Sequence, residues 1–340
     1  MGLLDNFRRQ TGQRISMNVC MMGPRGVGKT TILTAVFKET QCAITSTNLL
    51  LHAQGNTRAT LNDHFNELSF AFDVQNPIVD RPNAGLSASS GEHVFEFAMG
   101  LKGKEPKVDL YIKDFPGEYV QTKPQDVTAF ISASNAIMLA IDTPHMMEAG
   151  GRYCEEKNKI HTITSFFKNS LSENSLSDKL VLLVPLKCER YQHEGRMGEV
   201  LEATERYYAE LLRLLIDNKR VCCAITPILT LGGVEFDRFE HSAGNIALPQ
   251  AYYRFWGNPP VYRSAFCNQP IYYLLSFVSE QYQRSKKNAG FLKKIFQAIF
   301  SLFDKDPELY EEILKLEKYR KSDFPGYKIV CGESMFYYNR

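Results

Sequence analysis

Gly23-Pro24-Arg25-Gly26-Val27-Gly28-Lys29-Thr30 sets glycines, a lysine and a hydroxyl at the spacing G-x-x-x-x-G-K-[ST]. Glycines let such a loop wrap a phosphate with its backbone N–H groups pointing inward. A helix that starts directly after the loop presents its N-terminus, with about half a unit of positive charge, to the same anion. Lys29 then places an ammonium on the β- and γ-phosphates, and Thr30 gives its hydroxyl to Mg²⁺. The chemistry is that of a nucleoside triphosphate held with Mg²⁺. The residues assigned to nucleotide contact here are Gly23, Pro24, Arg25, Gly26, Val27, Gly28, Lys29, Thr30 and Thr31. The competing reading is a glycine turn with an exposed lysine.

A site of this kind needs an acidic residue at the end of a neighbouring strand to hold the metal, usually through water. Val108–Lys113 alternates like a strand and runs into Asp114-Phe115-Pro116-Gly117-Glu118, which makes Asp114 the second metal residue beside Thr30. Gly117 can offer its backbone N–H to the γ-phosphate and so sense hydrolysis. Glu118 can accept a proton or align a water, and reads equally as a solvent-exposed charge. Lys29, Gly117 and Glu118 form the catalytic set. A further Ser or Thr should reach the metal just before the strand pair, and Ser87, Ser89 and Ser90 are placed for it. Arg25 could crowd the γ-phosphate or supply charge to it.

Several elements must position these residues. Ile15–Met22 is a short apolar run that stops at Gly23-Pro24 and predicts a buried strand, and Lys29–Lys38 has helical apolar spacing. The loop thus lies where a strand turns into a helix. Asn56–Phe72 has a helical pattern, whereas Asn76–Ser90 is rich in Pro, Asn, Gly and Ser and reads as a loop. His93–Met99 and Val108–Lys113 flank Gly103-Lys104 and predict an antiparallel hairpin. Strands are expected over Ala136–Ile141, Leu180–Leu186 and Val221–Leu231. Helices are expected over Val127–Ala133, Glu155–Leu171 and Met197–Asn218. This alternation means an α/β sheet covered on both faces. Beyond Gly232-Gly233 the periodicity fades. It returns as helices over Ile271–Gln283, Gly290–Phe303 and Pro307–Lys321, with strand character within Tyr327–Tyr338.

The pairing of GPRGVGKT with DFPGE resembles the TRAFAC class of P-loop GTPases, and within it the bacterial double-GTPase-like domains. The resemblance runs from about Ile15 to Phe277 and is supported by Thr226–Gly233 and Cys267–Leu275. It implies a Ras-like, mostly parallel sheet with one antiparallel hairpin, and a GTP-hydrolysing molecular switch in a bacterial multi-protein system. A non-hydrolysing nucleotide-gated scaffold and an ATPase using the same site are the alternatives. Glu118 follows Gly117 where Ras-like relatives carry the glutamine that orients the attacking water. Arg25 stands where they often keep glycine, and Ser87 is the favoured metal residue of the first switch. The family reads guanine with N/T-K-x-D after the corresponding strand; this chain has Leu186-Lys187-Cys188-Glu189. Lys187 and Glu189 keep the spacing and join the nucleotide set, while Leu186 replaces the polar first residue and Glu replaces Asp.

Composition limits the remaining classes. The chain has 340 residues with 44% apolar, 23% charged and a formal net charge of +2, so nothing points to DNA or RNA. Eight cysteines make no CxxC pair and seven histidines make no HExxH set, which disfavours zinc. No signal peptide or membrane-length apolar stretch is read, and a soluble cytoplasmic protein is expected. Residues 1–285 are expected to form the P-loop domain, with an insertion at about 41–90 in the first switch region, and 286–340 a helical extension. The aromatic, amphipathic stretch Phe291–Phe303 is assigned to packing on the domain, with a membrane surface or a protein partner as the other reading. Protein effectors or co-subunits are expected partners.

Overall fold

The run Ile15–Met22 forms strand β1, at the middle of the main sheet of the computed structural model. The structure describes residues 14–70, 72, 93–171, 178–242, 245–287, 294–321 and 324–336. After β1 come helix α1 (Lys29–Ala43), β2 (Leu49–Ala53), α2 (Asn56–Phe70), β3 (His93–Leu101) and β4 (Val108–Asp114). The central part contains α3 (Tyr119–Thr122), α4 (Pro124–Ala133), β5 (Ala136–Asp142), α5 (Thr143–Met147), α6 (Cys154–Asn158), α7 (Ile160–Ser170) and β6 (Lys179–Leu186). Next are α8 (Glu189–His193), α9 (Met197–Tyr207), α10 (Ala209–Asp217), β7 (Val221–Ile225), β8 (Val234–Ser242) and β9 (Asn245–Phe255). The chain ends through α11 (Gln269–Lys287), α12 (Lys294–Lys305), α13 (Pro307–Glu317) and β10 (Lys328–Cys331).

Eight strands make one sheet in the order β10-β7-β6-β5-β1-β4-β3-β2. β4, β1, β5, β6 and β7 pair in parallel, whereas β3 is antiparallel to β4, β2 to β3 and β10 to β7. The strands at the centre are apolar at nearly every position because both faces are covered. Met17, Val19 and Met21 of β1 point into one core with α1, α11, α12 and α13; Cys20 and Met22 point into the other with α4, α7, α9 and α10. β5 divides its side chains in the same way, Met138 to the first core and Ile137 and Leu139 to the second. The expected P-loop α/β fold with a Ras-like, mostly parallel sheet is present. Its antiparallel part is larger than the single hairpin expected, since β2 and β10 extend both edges.

Other departures have local causes. The helix expected over Glu155–Leu171 is divided at Lys159, which adopts φ 53 and closes α6. The one expected over Met197–Asn218 breaks at Tyr208, a fully buried side chain whose backbone leaves helical geometry. The strand expected to reach Leu231 stops at Ile225, just before Thr226-Pro227, and Pro227 has no N–H to continue a ladder. The fading pattern after Gly233 conceals a separate two-stranded sheet, β8–β9. Its register shifts between Phe236 and Arg238, so the period of two is interrupted, and among the described residues its small buried core is Val234, Phe236, Ala251 and Tyr253, with Phe72, Leu231, Phe239 and Phe255 packed against it.

Part of the expected 41–90 insertion belongs to the main body: β2 extends the sheet edge and α2 packs on α1. Ser87, Ser89 and Ser90 lie outside the described residues. At the other end, Phe300, Phe303, Leu309, Ile313 and Leu316 enter the same core as α1 and β1, which is the packing assigned to the amphipathic stretch. Of the expected helix, the structure describes 294 onward. None of the described helices is long and apolar enough to cross a membrane.

Candidate nucleotide-binding site

The loop Gly23–Gly28 joins the end of β1 to the start of α1, at the C-terminal edge of the parallel strands. That edge is where open α/β sheets hold ligands. Gly28 caps α1 with φ 105, a left-handed conformation open to glycine, and no side chain caps the helix. The N–H groups of its first turn therefore have no side-chain acceptor and face the loop. Thr31, one residue into the helix beyond Thr30, is buried and meets His64 Nε2 of α2 at 3.2 Å, while His64 Nδ1 meets Glu67 at 3.2 Å. Helix α2 is thereby tied to α1.

Lys29 is buried, with Nζ 3.4 Å from the Gly23 carbonyl and 3.8 Å from Asp114 Oδ1. Burial lowers its pKa, opposed by the Asp114 and Glu118 charges. Parallel pairing of β1 with β4 sets Met21 opposite Asp114, and so carries the carboxylate to the loop. Both Asp114 oxygens are buried without a hydrogen bond. Burial raises the Asp114 pKa to about 6, with Lys29, His93 and the Thr30 hydroxyl pulling the other way. An orphaned carboxylate near a threonine hydroxyl is a set of hard oxygen donors that fits Mg²⁺.

Gly117 packs on the loop itself: a Cβ there would lie 2.4 Å from the Arg25 nitrogen and 2.8 Å from the Pro24 carbonyl carbon. Glu118 follows, and its carboxylate pairs with the Arg25 guanidinium at 2.9 Å. The two side chains singled out for a γ-phosphate role therefore engage one another.

The side facing Lys187 is built differently. Lys187, with φ 60, donates to the Gly26 carbonyl at 3.0 Å and to Asp142 Oδ2 at 2.8 Å. Burial works to lower its pKa, but Asp142 and Tyr253 hold it above the ordinary lysine value. Asp142 is itself fully buried at the end of β5. Burial would raise it, yet Lys187 and His145 keep its carboxyl well below the usual range. His145 Nδ1 meets Asp142 Oδ1 at 2.6 Å and Nε2 meets the Pro249 carbonyl of β9 at 3.2 Å. Both ring nitrogens face oxygen atoms.

Glu189 does not share this cluster. Its Oε1 accepts the N–H groups of Leu231 at 3.0 Å and Gly232 at 3.4 Å, and the residue is buried. Burial raises its pKa, with those N–H groups pulling it back. Of the two residues that keep the base-reading spacing, Lys187 reaches the phosphate loop and Glu189 holds the loop after β7.

Sequence reasoning missed Asp142, His145, Lys157 and Tyr253. Lys157 donates to the Arg25 carbonyl at 2.9 Å. Its pKa falls to about 8 through burial, opposed by Asp142 and reinforced by Lys187 and Lys29. Tyr253 brings the β8–β9 sheet beside the cluster, its ring centre 5.5 Å from Lys187 Nζ. One signal was available for Asp142: an acid ending a fully apolar strand has to find a partner inside.

Comparison with known proteins fits this arrangement. The family model Double-GTPase 2 matches residues 18–214. No curated protein matches. Among solved structures the chain is similar to the S. cerevisiae Ski7 GTPase-like domain bound to GTP, at 13% identity and TM-score 0.42, covering 68% of this chain and 45% of that one. It is also similar to that domain bound to GDP and inorganic phosphate, at 14% identity and TM-score 0.40, covering 64% and 44%. The chain thus spans less than half the length of these two solved chains. The family match runs from the middle of β1 into α10 and takes in the phosphate loop, Asp114–Glu118 and Lys187, and by it this chain belongs to the Double-GTPase 2 family.

Proposed function

We propose that the chain binds GTP with Mg²⁺ and hydrolyses it as a molecular switch. The observation that carries this reading is Asp114, a buried carboxylate with no hydrogen bond beside Lys29 and next to the Thr30 hydroxyl. Burying a carboxylate with only an ammonium at 3.8 Å to offset it is costly, and a ligand-borne cation would reduce that cost. Thr30 and Asp114 would hold Mg²⁺, which when bound neutralises charge on the β- and γ-phosphates. Ser87 is proposed as the first-switch metal residue. The chain's own residues do the rest. The α1 N-terminus and Lys29 bind the phosphates. Gly117 lies against the loop, so a γ-phosphate there would be felt by the Asp114–Glu118 segment. Glu118 would orient the attacking water once separated from Arg25.

That ion pair also favours a second reading, a nucleotide-gated scaffold without turnover, in which Glu118 stays with Arg25. An ATPase is the third, since the Glu189 carboxylate is held by Leu231 and Gly232. A cytoplasmic bacterial assembly with protein effectors is the proposed setting. Calorimetric titration with GTP and with ATP, alongside phosphate release, in wild type and Lys29→Ala, separates the three. The switch requires GTP binding and turnover that both vanish in Lys29→Ala. Tight GTP binding with no turnover supports the scaffold, and preference for ATP the third reading. Turnover that survives Lys29→Ala overturns the site.

A further inference from the structure

A second cavity lies at the far end of α1, about 15 Å from Lys29 along the helix by the 1.5 Å rise per residue. It has a volume of about 620 Å³, within the roughly 300–1,000 Å³ typical of small-molecule sites. Its walls come from the last turn of α1, the start of α11 and the segment following α13.

The cavity combines three chemistries. Glu39 supplies a carboxylate: Oε2 accepts the Asn268 N–H at 3.3 Å, and Oε1 is buried without a hydrogen bond. Burial raises its pKa, with Ser264 and the Asn268 and Cys267 backbone pulling it back. Tyr272 and Tyr319 supply rings with centres 6.3 Å apart, and Tyr319 is 49% exposed, with Lys318 Nζ 5.0 Å from its ring centre. Lys318 and Lys321 supply positive charge, and among the described residues no carboxylate pairs with either; their contacts are with the Tyr319, Phe266 and Phe324 rings. Gln269 fixes this wall: it donates to the Tyr319 carbonyl at 3.1 Å and accepts the Lys321 N–H at 2.7 Å. Tyr273 adds a bond to the Lys321 carbonyl at 2.6 Å.

A carboxylate with one oxygen that accepts no hydrogen bond, a half-exposed aromatic ring and two ammonium groups that no carboxylate among the described residues pairs with are complementary to a planar ring with N–H donors that also carries an anion. We infer that this cavity binds a nucleoside phosphate: the base stacks on Tyr319 and donates to Glu39, and the phosphate lies between Lys318 and Lys321. A metal-free nucleoside monophosphate suits two ammonium groups, whereas the phosphate loop draws on the β- and γ-phosphates that it lacks. The inference does not depend on the proposed GTPase reading, because no residue is shared between the two sites.

GMP and AMP are therefore the probes, titrated by calorimetry against the full chain in EDTA. Both the wild type and Lys29→Ala should bind one equivalent with equal affinity. Tyr319→Ala should weaken binding at least about fivefold, as expected for losing a base–aromatic stack. The double substitution Lys318→Glu with Lys321→Glu should abolish it. All three side chains replaced in these last variants are at the surface rim, and unfolding curves check that the fold is retained. Loss of GMP and AMP binding in Lys29→Ala would place the ligand in the phosphate loop and overturn the inference. So would saturation of the cavity by an acidic hexapeptide with no response to GMP or AMP, which identifies a peptide site instead. Failure of GTP binding with retained GMP binding would sink only the GTPase reading.

Discussion

The phosphate end and the Lys187 end of the site border one loop, yet they manage buried charge in opposite ways. At the phosphate end Asp114 makes no hydrogen bond, and burial raises its pKa to about 6. At the other end Asp142, equally buried, has Lys187 at 2.8 Å and His145 at 2.6 Å, and its pKa is pushed well down. The first arrangement leaves both carboxylate oxygens without a hydrogen bond. The second is complete already and holds the Gly26 carbonyl in place through Lys187. A loop that must grip an anion benefits from both: a fixed outer support and an inner face with charge left over.

The largest test of this contrast is Asp142→Ala. It leaves Lys187 and His145 buried without their carboxylate and removes the acceptor for the His145 N–H at the start of α5. Breaking one side of a buried ion pair costs about 3–5 kcal/mol, so urea unfolding should show a loss of that order. A loss near the value for a surface mutation would mean that the cluster is solvated and the contrast is false.

Asp114→Asn should act with the opposite sign on the free protein. A carboxyl raised from 3.8 to about 6 binds its proton more tightly when folded. Between those pH values the unfolded chain releases the proton first, so this group makes stability fall as pH rises. The full effect corresponds to at most about 3 kcal/mol above pH 6. Asp114→Asn should flatten that slope and leave the ligand-free protein as stable as wild type or more so at pH 7, while Mg²⁺-dependent nucleotide binding is lost. For Asp142 the sign reverses: its contribution is present above the ordinary 3.8 and is lost as pH falls through the depressed folded value. Unfolding curves from about pH 2 to 8 for wild type and both variants check the two slopes.

Much of the phosphate end was legible because its residues act through local chain geometry. Gly28, Lys29 and Thr30 sit at fixed offsets on one strand–loop–helix, and Asp114 ends the strand that pairs beside β1. The Lys187 end was less so. Asp142, His145, Lys157 and Tyr253 come from four separate elements, and only the parallel order of β5 and β6 brings Asp142 opposite Leu186, next to Lys187. Tyr253 arrives on a sheet whose period is broken by a register shift. The fold shows the same division. The largely apolar strands β1, β5 and β6 declare themselves by composition, while β8 is dominated by Glu235, Asp237, Arg238 and Glu240, which pair with one another, with Arg254 or, for Glu235, also with His193.

Glu189→Gln sharpens the comparison at a smaller scale. The amide oxygen can still accept the Leu231 and Gly232 N–H groups, and the buried carboxyl it replaces is one that burial disfavours. Stability should change by no more than about 1 kcal/mol, the scale of a single net hydrogen bond. The ratio of GTP to ATP affinity should stay the same within error of the titration. A tenfold collapse of that ratio would show that Glu189 leaves Leu231 to read the base, and would make both ends of the site ligand-dependent.

The smallest expected effect on stability is that of Arg25→Ala. Arg25 and Glu118 are 71% and 55% exposed, and an ion pair in that setting contributes below about 1 kcal/mol. Thermal unfolding should scarcely move. The informative readout is phosphate release, because the pair joins the loop to the residue proposed to orient water. If the pair only restrains Glu118, its removal speeds release by no more than about fivefold, the factor that 1 kcal/mol allows. A fall in rate at unchanged GTP affinity would mean instead that Arg25 delivers its charge to the γ-phosphate during the reaction, since a restraint cannot slow the step when it is removed.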